Sequence, residues 1–200
     1  MMKKKTGRPR AFERDEALLA AMNVFWAKGY DRASMKDLTE AMGINSPSLY
    51  SVFGDKHRLY LEAIDRYASN DACAPLVAFE TEPDIARAVR SFMEAVIDYA
   101  TTNDSGALGC FLSSCVSTSA GQVEGAQELL RRAIEDTDAR LSRRFDLEKA
   151  RGVLPDTFPS MERARLMFDL RQGHVFRARA GLDRESMESD LDFRVQMILM

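Results

Sequence analysis

Four hydroxyls, those of Ser46, Ser48, Tyr50 and Ser51, fall on the polar side of one short segment whose apolar residues, Leu49 and Phe53, are four apart. No nucleophile in the chain has a base at motif spacing, so these groups are not set up for acyl or phosphoryl transfer. What they can do is hydrogen-bond solvent or a ligand, including phosphate oxygens and base edges. That use requires a scaffold that holds the segment out from a core.

The surrounding stretch from Ser34 to Lys56, SMKDLTEAMGINSPSLYSVFGDK, supplies one. Ser34 and Asp37 have capping-box spacing. Met35, Leu38 and Met42 form one apolar stripe, and Gly43 ends the helix where a left-handed residue is needed. Ile44 anchors the turn, and Asn45 and Ser46 are turn and cap residues. Pro47 is expected at the first helical position, where its missing N–H costs nothing. Gly54 stops this second helix, and Asp55 caps a third running from Lys56 to about Asn70. Two short helices across a tight turn are how a protein offers a helix to the DNA major groove. The same unit also occurs in proteins that never touch DNA, so spacing alone leaves both readings open.

The flanks favour DNA. Lys3 to Arg10 carries five positive charges and no negative one. In isolation such a run is a solvated tail; beside a helix–turn–helix it reads as an arm whose Arg8 and Arg10 reach a minor groove. A first helix is expected from about Arg14 to Lys28, with Ala17, Ala21, Val24 and Phe25 inward and Glu13 as a mediocre cap. Residues 1–70 hold 12 Lys and Arg against 9 Asp and Glu, a net of +3. Residues 71–200 hold 16 against 22, a net of −6, so the basic end is the one drawn to phosphates.

The basic GRPR arm, the helix containing AMNVFWAKGYDRASM, and DLTEAMGINSPSLYSVFGDKHRLYLEAI together resemble the TetR family of bacterial transcriptional regulators across roughly residues 7–68. The resemblance implies an all-α fold: an N-terminal three-helix head over 1–55, and a C-terminal helical ligand-binding and dimerisation domain over 56–200. It implies a homodimer on a palindromic double-stranded DNA operator, a repressor released by a small-molecule effector, with no cofactor and no enzyme activity. Ser46, Pro47, Ser48 and Tyr50 would lie along the groove. Tyr50 and Lys56 would contact phosphate, as would Ser34 from its cap. Ser46, Pro47, Ser51 and Val52 depart from the basic, Gly and aromatic residues of many relatives. Base reading would then rest on serine hydroxyls, Asn45, the arm and DNA shape.

The rest of the chain reads as helices over 84–101, 107–119, 123–145, 160–180 and 184–199, with a break after Asn70 marked by Pro75 and Pro83. An effector pocket among the first four is expected to use Phe92, Met93, Val96, Phe111, Cys115, Phe168 and His174, although apolar residues on inner faces are usually plain core. Met187, Leu191, Val195 and Ile198 make a stripe near the apolar terminus. With Met167 and Leu170 they form the expected dimer interface, the alternative being packing onto the subunit's own core.

Three cysteines and two histidines favour neither a disulfide framework nor a zinc site. Cys110 and Cys115 are about 140° apart on a helix. Cys110 carries an alternative reading, a repressor sensing oxidants or electrophiles through a thiol of lowered pKa, against an inert buried thiol. No Gly-rich phosphate loop or ligand cluster supports the other alternative, an all-helical enzyme. The longest uncharged stretch, Ser105 to Val123, holds five Ser and one Thr and is too polar for a bilayer. With no signal peptide in view, a cytoplasmic protein is expected.

Overall fold

A computed structural model describes residues 11–70, 74–102 and 109–200. The described residues are helical, without a strand: α1 (Ala11–Lys28), α2 (Met35–Met42), α3 (Ser46–Phe53), α4 (Lys56–Ser69), α5 (Ala74–Thr81), α6 (Ile85–Thr101), a π-helical turn (Leu112–Val116) running into α7 (Ser117–Ser119), α8 (Ala126–Ala150), α9 (Ser160–Arg179), α10 (Arg184–Glu188) and α11 (Leu191–Leu199). They divide into two compact units, one ending at Ala63 and the other beginning at Ile64, within α4.

The first unit closes around apolar faces that meet at i, i+3 and i+4 spacing. Leu18, Ala21, Met22 and Phe25 of α1, Leu38 and Met42 of α2, Leu49 and Phe53 of α3, and Leu59, Tyr60 and Ala63 of α4 are all buried. Phe25 meets Tyr60 edge-on with ring centres 4.9 Å apart, and Tyr30 lies at the same distance from Tyr60. Offset and edge contacts of this kind add about 0.5–1.5 kcal/mol each beyond the area they bury. Helix α1 begins at Ala11, before the Arg14 expected from sequence, so Glu13 lies inside it and is not a cap.

In the second unit, α6 buries Ile85, Ala88, Val89, Phe92, Met93, Val96, Ile97 and Ala100 behind an Asp84 cap whose carboxylate accepts the Arg87 amide at 2.9 Å. The break after Asn70 also contains a helix, α5, with Pro75 in its first turn, where proline is tolerated. Its Phe79 packs edge-on against Phe92 and Phe145. Helix α8 starts at Ala126, not Val123, because Gly125 turns left-handed (φ 82°) just before it. It extends to Ala150, where the expected end was Phe145. Buried Arg144 pairs with buried Glu148 one turn on, and donates to the carbonyls of Glu82 and Pro83 at 2.9 and 3.2 Å. The terminal helix is two pieces, α10 and α11, separated at Ser189 and Asp190.

The helix expected over 107–119 is π-helical from Leu112 to Val116. Inserted turns of this kind widen a helix locally and recur at binding sites. No described helix is long and apolar enough to cross a membrane.

A capped helix and a cavity beside a buried arginine

Helix α3 is held at both ends. Its N-cap is Asn45, whose Oδ1 accepts the Ser48 amide at 2.9 Å, so Ser46 is the first helical residue and Pro47 the second, one place later than expected. The shift leaves the proline within the first turn, where its lack of an N–H is still harmless. Gly54 at the other end has φ 79°, and its amide donates to the Tyr50 carbonyl at 3.1 Å. A Cβ there would also meet Arg58 Cδ at 2.8 Å, which that flexible side chain can relieve by moving, so it is the backbone conformation that requires glycine.

The preceding helix is fixed the same way. Ser34 Oγ accepts the Asp37 amide at 3.1 Å, and Asp37 Oδ2 accepts the Ser34 amide at 3.0 Å. Lys28 Nζ adds an ion pair to Asp37 at 2.7 Å. The Lys28 ammonium and the Ser34 donors hold the Asp37 carboxyl well below the usual carboxylate range. Gly43 (φ 64°) closes α2, with its amide and that of Ile44 returning to Glu40 and Thr39.

With Leu49 and Phe53 inward, α3 presents Ser46, Pro47, Tyr50 and Ser51 to solvent, with Asn45 exposed at its cap and Ser48 half-buried. Tyr50 is 54% exposed, and Val52 joins it on the outer side. Ser34 is exposed at its cap. Lys56, at the start of α4, is half-buried, with Nζ 4.5 Å from the centre of the Tyr30 ring and 3.4 Å from the Asp31 carbonyl. Arg8 and Arg10 lie outside the described residues.

The second unit holds a cavity of about 890 Å³. Leu76, Leu112, Leu130, Ala133, Ile134 and Phe168 supply apolar wall, and Ser113, Thr137, Arg171 and Gln172 supply polar groups. Ser113 Oγ donates to Gln172 Oε1 across the gap between the π-helical turn and α9. Of the expected effector residues, only Phe168 is in this wall. Phe92, Met93, Val96, Phe111, Cys115 and His174 are buried core residues away from it. Periodicity identified inner faces correctly, but an inner face does not distinguish core from cavity lining. Sequence reasoning missed Arg171, whose burial at 4% exposure no local pattern marks.

Behind Arg171 lies a cluster no spacing rule anticipates. Arg171 Nη2 is 3.9 Å from Cys110 Sγ, and Tyr67 Oη donates to the same sulfur at 3.4 Å. The guanidinium also lies over the rings of Phe168 and Tyr99, at 5.6 and 5.9 Å. Burial pushes the Cys110 thiol up, but the Arg171 charge and the hydrogen bonds from Tyr67 and Ser113 outweigh it and hold its pKa below the ordinary value. The Tyr99 Oη is buried without a hydrogen-bond partner. His174 is 1% exposed with both ring nitrogens unpartnered. Burial and the Arg194 charge push its pKa down to about 4.

The residues expected at a dimer interface fall in two groups. Met167, Met187, Leu191 and Ile198 are buried in the subunit's own packing, where α10 and α11 lie against α6 and α9. Leu170 and Val195 are half-buried. The outward apolar residues are instead Phe176 at 76%, Phe193 at 62% and Met200 at 81% exposure, with Met197 beside them in sequence. No group of three or more His, Cys, Asp or Glu among the described residues is placed to hold a metal ion.

Comparison with known proteins places this geometry. Residues 17–63 match the profile of the bacterial regulatory proteins, tetR family. The chain is 32% identical to the HTH-type transcriptional repressor ComR of Escherichia coli over 190 residues, covering 93% of this chain and 89% of that one. It is 31% identical over 134 residues to the HTH-type transcriptional activator FasR of Mycolicibacterium smegmatis, covering 66% and 61%. Among solved structures, a cysteine-substituted TetR family regulator CifR, complexed with 26-base-pair double-strand operator DNA, superposes with a TM-score of 0.84 at 28% identity, over 94% of this chain and 98% of that one.

Proposed function

This chain belongs to the TetR family of bacterial regulatory proteins, DNA-binding transcription factors and not enzymes, and from that premise we propose a homodimeric repressor that binds a palindromic operator and is released by a small molecule. The observation that carries the reading is α3. It is capped at both ends, backed by Leu49 and Phe53, and turns Asn45, Ser46, Pro47, Tyr50 and Ser51 to solvent.

A helix so fixed enters a major groove as a rigid body, and its hydroxyls and amide bond base edges and phosphates without first being ordered. Two copies are needed for a palindrome, with heads one helical turn or a multiple apart, roughly 34–36 Å. The exposed Phe176, Phe193 and Met200 favour self-association through α9 and α11, since apolar groups of that size gain by leaving water. The cavity between α5, the π-helical turn, α8 and α9 has the size and mixed lining of a small-molecule site. Repression is favoured by the likeness to ComR over most of the chain.

The test is selection of duplexes from a random pool, footprinting of the selected site, and mass measurement of the free protein and its complex. A palindromic footprint, two subunits per site and affinity falling steeply with salt are expected. A monomer with no preference among duplexes would overturn the reading. Repression is checked with a reporter behind the selected site, whose output should rise when the gene is deleted.

A second reading rests on the Cys110 environment. An electrophile or oxidant that reached this thiol would break its contacts with Tyr67 and Arg171 and so disturb the seam between the π-helical turn, α4 and α9. Stoichiometric alkylation of Cys110 that leaves operator affinity unchanged would remove it.

A further inference from the structure

Arg171 is a buried cation in the cavity wall, and among the described residues no carboxylate pairs with it. Its contact with the Cys110 thiol sulfur is long, at 3.9 Å, and to a weak acceptor, and its other polar neighbours are the neutral phenols of Tyr99 and Tyr67. Tyr67 already donates to that same sulfur, and Tyr99 Oη is buried with no acceptor. The cluster therefore lacks a carboxylate: a guanidinium with five N–H groups faces two neutral phenols and a thiol sulfur. A buried charge without its counter-charge is costly to keep. In the wall of a roomy cavity, an incoming anion would relieve that cost.

We propose that the cavity takes an amphipathic carboxylate, its anionic head on the Arg171 guanidinium and its apolar body along Leu76, Leu112, Leu130 and Phe168. The proposal rests on the ligand-responsive reading above and specifies its chemistry. One buried cation matches one negative charge. Of the other wall arginines, Arg140 is neutralised by Glu80 through two contacts at 2.8 and 2.6 Å, Arg132 is exposed and pairs with Glu128 at 3.8 Å, and Arg143 is exposed. A monocarboxylate therefore fits better than a dianionic phosphate. The guanidinium fork binds a carboxylate in two parallel hydrogen bonds, and the ring of Phe168 under it limits the planes the fork can take. The π-helical turn sets Leu112 and Ser113 in the wall, where Ser113 ties Gln172 in place beside Arg171. The competing arrangement is a Cys110 thiolate as resident counter-ion. It predicts a cavity indifferent to ligand charge.

The experiment titrates the full-length protein with straight-chain carboxylates of eight to twelve carbons and with the matching alcohols, reading heat of binding and thermal midpoint. The wild-type protein should bind at least one carboxylate about ten-fold or more tighter than its alcohol, and that carboxylate should raise the midpoint. In Arg171→Gln the preference should vanish. Arg171→Lys, which keeps the charge and loses the two-pronged fork, serves if Arg171→Gln fails to fold, and should narrow the preference several-fold. Equal affinity for acid and alcohol, absence of carboxylate binding, or a preference that survives loss of Arg171 would each overturn the proposal. Because the titration needs no DNA, a protein that binds carboxylates but no operator would sink the repressor reading alone.

Discussion

Lys56 stands over Tyr30, its Nζ 4.5 Å from the ring centre and 3.4 Å from the neighbouring Asp31 carbonyl. Tyr30 in turn packs on Tyr60, one turn along α4 from Lys56. A side chain from the loop after α1 therefore fixes the position of a cation three residues beyond the end of α3. A lysine pinned in this way meets a phosphate with less rotamer freedom left to lose. Replacing Lys56 with Met should weaken binding to all duplexes alike and reduce the slope of log affinity against log salt by about 1. Anisotropy titrations at several salt concentrations read both effects, and an unchanged slope would place Lys56 off the phosphates.

Tyr50 behaves differently because nothing in the subunit depends on its ring. It is 54% exposed, so Tyr50→Ala should alter stability by less than about 0.5 kcal/mol. Operator binding should drop roughly ten-fold or more, as expected for an aromatic with a phenol at the centre of an interface. Tyr50→Phe should fall between the two and thereby report the hydroxyl. Full affinity in Tyr50→Ala would show that α3 meets DNA by another face.

The capping box links stability to pH. Ser34→Ala removes the acceptor for the Asp37 amide and should lower stability by about 1 kcal/mol. Asp37 is held below its ordinary pKa in the folded state by Lys28 and Ser34, so its contribution is present above the unfolded value near 4 and is lost as pH falls below it. Asp37→Asn should accordingly flatten the acid limb of the stability curve below pH 4, measured by urea unfolding. An acid limb identical to wild type would mean that the ion pair forms equally in the unfolded chain.

The head was readable because its determinants are local. Ser34 with Asp37, Gly43, Asn45 and Gly54 each act within four residues; the departures lie at helix starts, where Pro47 is the second and not the first helical residue of α3 and α1 begins before Arg14. The cavity was not readable for the opposite reason. Arg171 and Cys110 are 61 positions apart, and Tyr67 and Cys110 are 43 apart. Their meeting is a product of packing α4, α9 and the π-helical turn together. The same limit explains Met187 and Leu191: a stripe shows that a helix has an inner face, without showing whether its own subunit or a second copy covers that face.

His174 gives a second pH signature, with a larger expected amplitude. Its pKa is pushed from the ordinary 6.5 down to about 4 by burial and the Arg194 charge, with Asp190 opposing. Between those two values the unfolded chain binds the proton and the folded chain does not. Stability therefore falls as pH drops from about 6.5 and levels off below about 4, by roughly 2–3 kcal/mol in all. Both ring nitrogens lack partners, so His174→Phe removes no hydrogen bond and should leave stability at pH 7.5 nearly unchanged or slightly raised. Its stability curve between pH 7 and 4 should lose this slope. A slope that persisted would assign the acid sensitivity to other groups.

The outward aromatics decide the assembly. Phe193 on α11 and Phe176 on α9 are 62% and 76% exposed in the lone subunit, whereas Met187, Leu191 and Ile198 are already covered. A charge at Phe193 or Phe176 should therefore separate subunits without unfolding them. Phe193→Arg combined with Phe176→Arg is expected to shift the protein from dimer to monomer by light scattering, with the helical circular dichroism retained. Because a palindrome rewards two linked heads, the same variant should lose operator affinity by about 100-fold or more while keeping its weak binding to single half-sites. Leu191→Arg gives the contrast: it places a charge in the subunit's own core and should unfold the chain. Should the double arginine variant remain dimeric, the interface would have to lie on another surface.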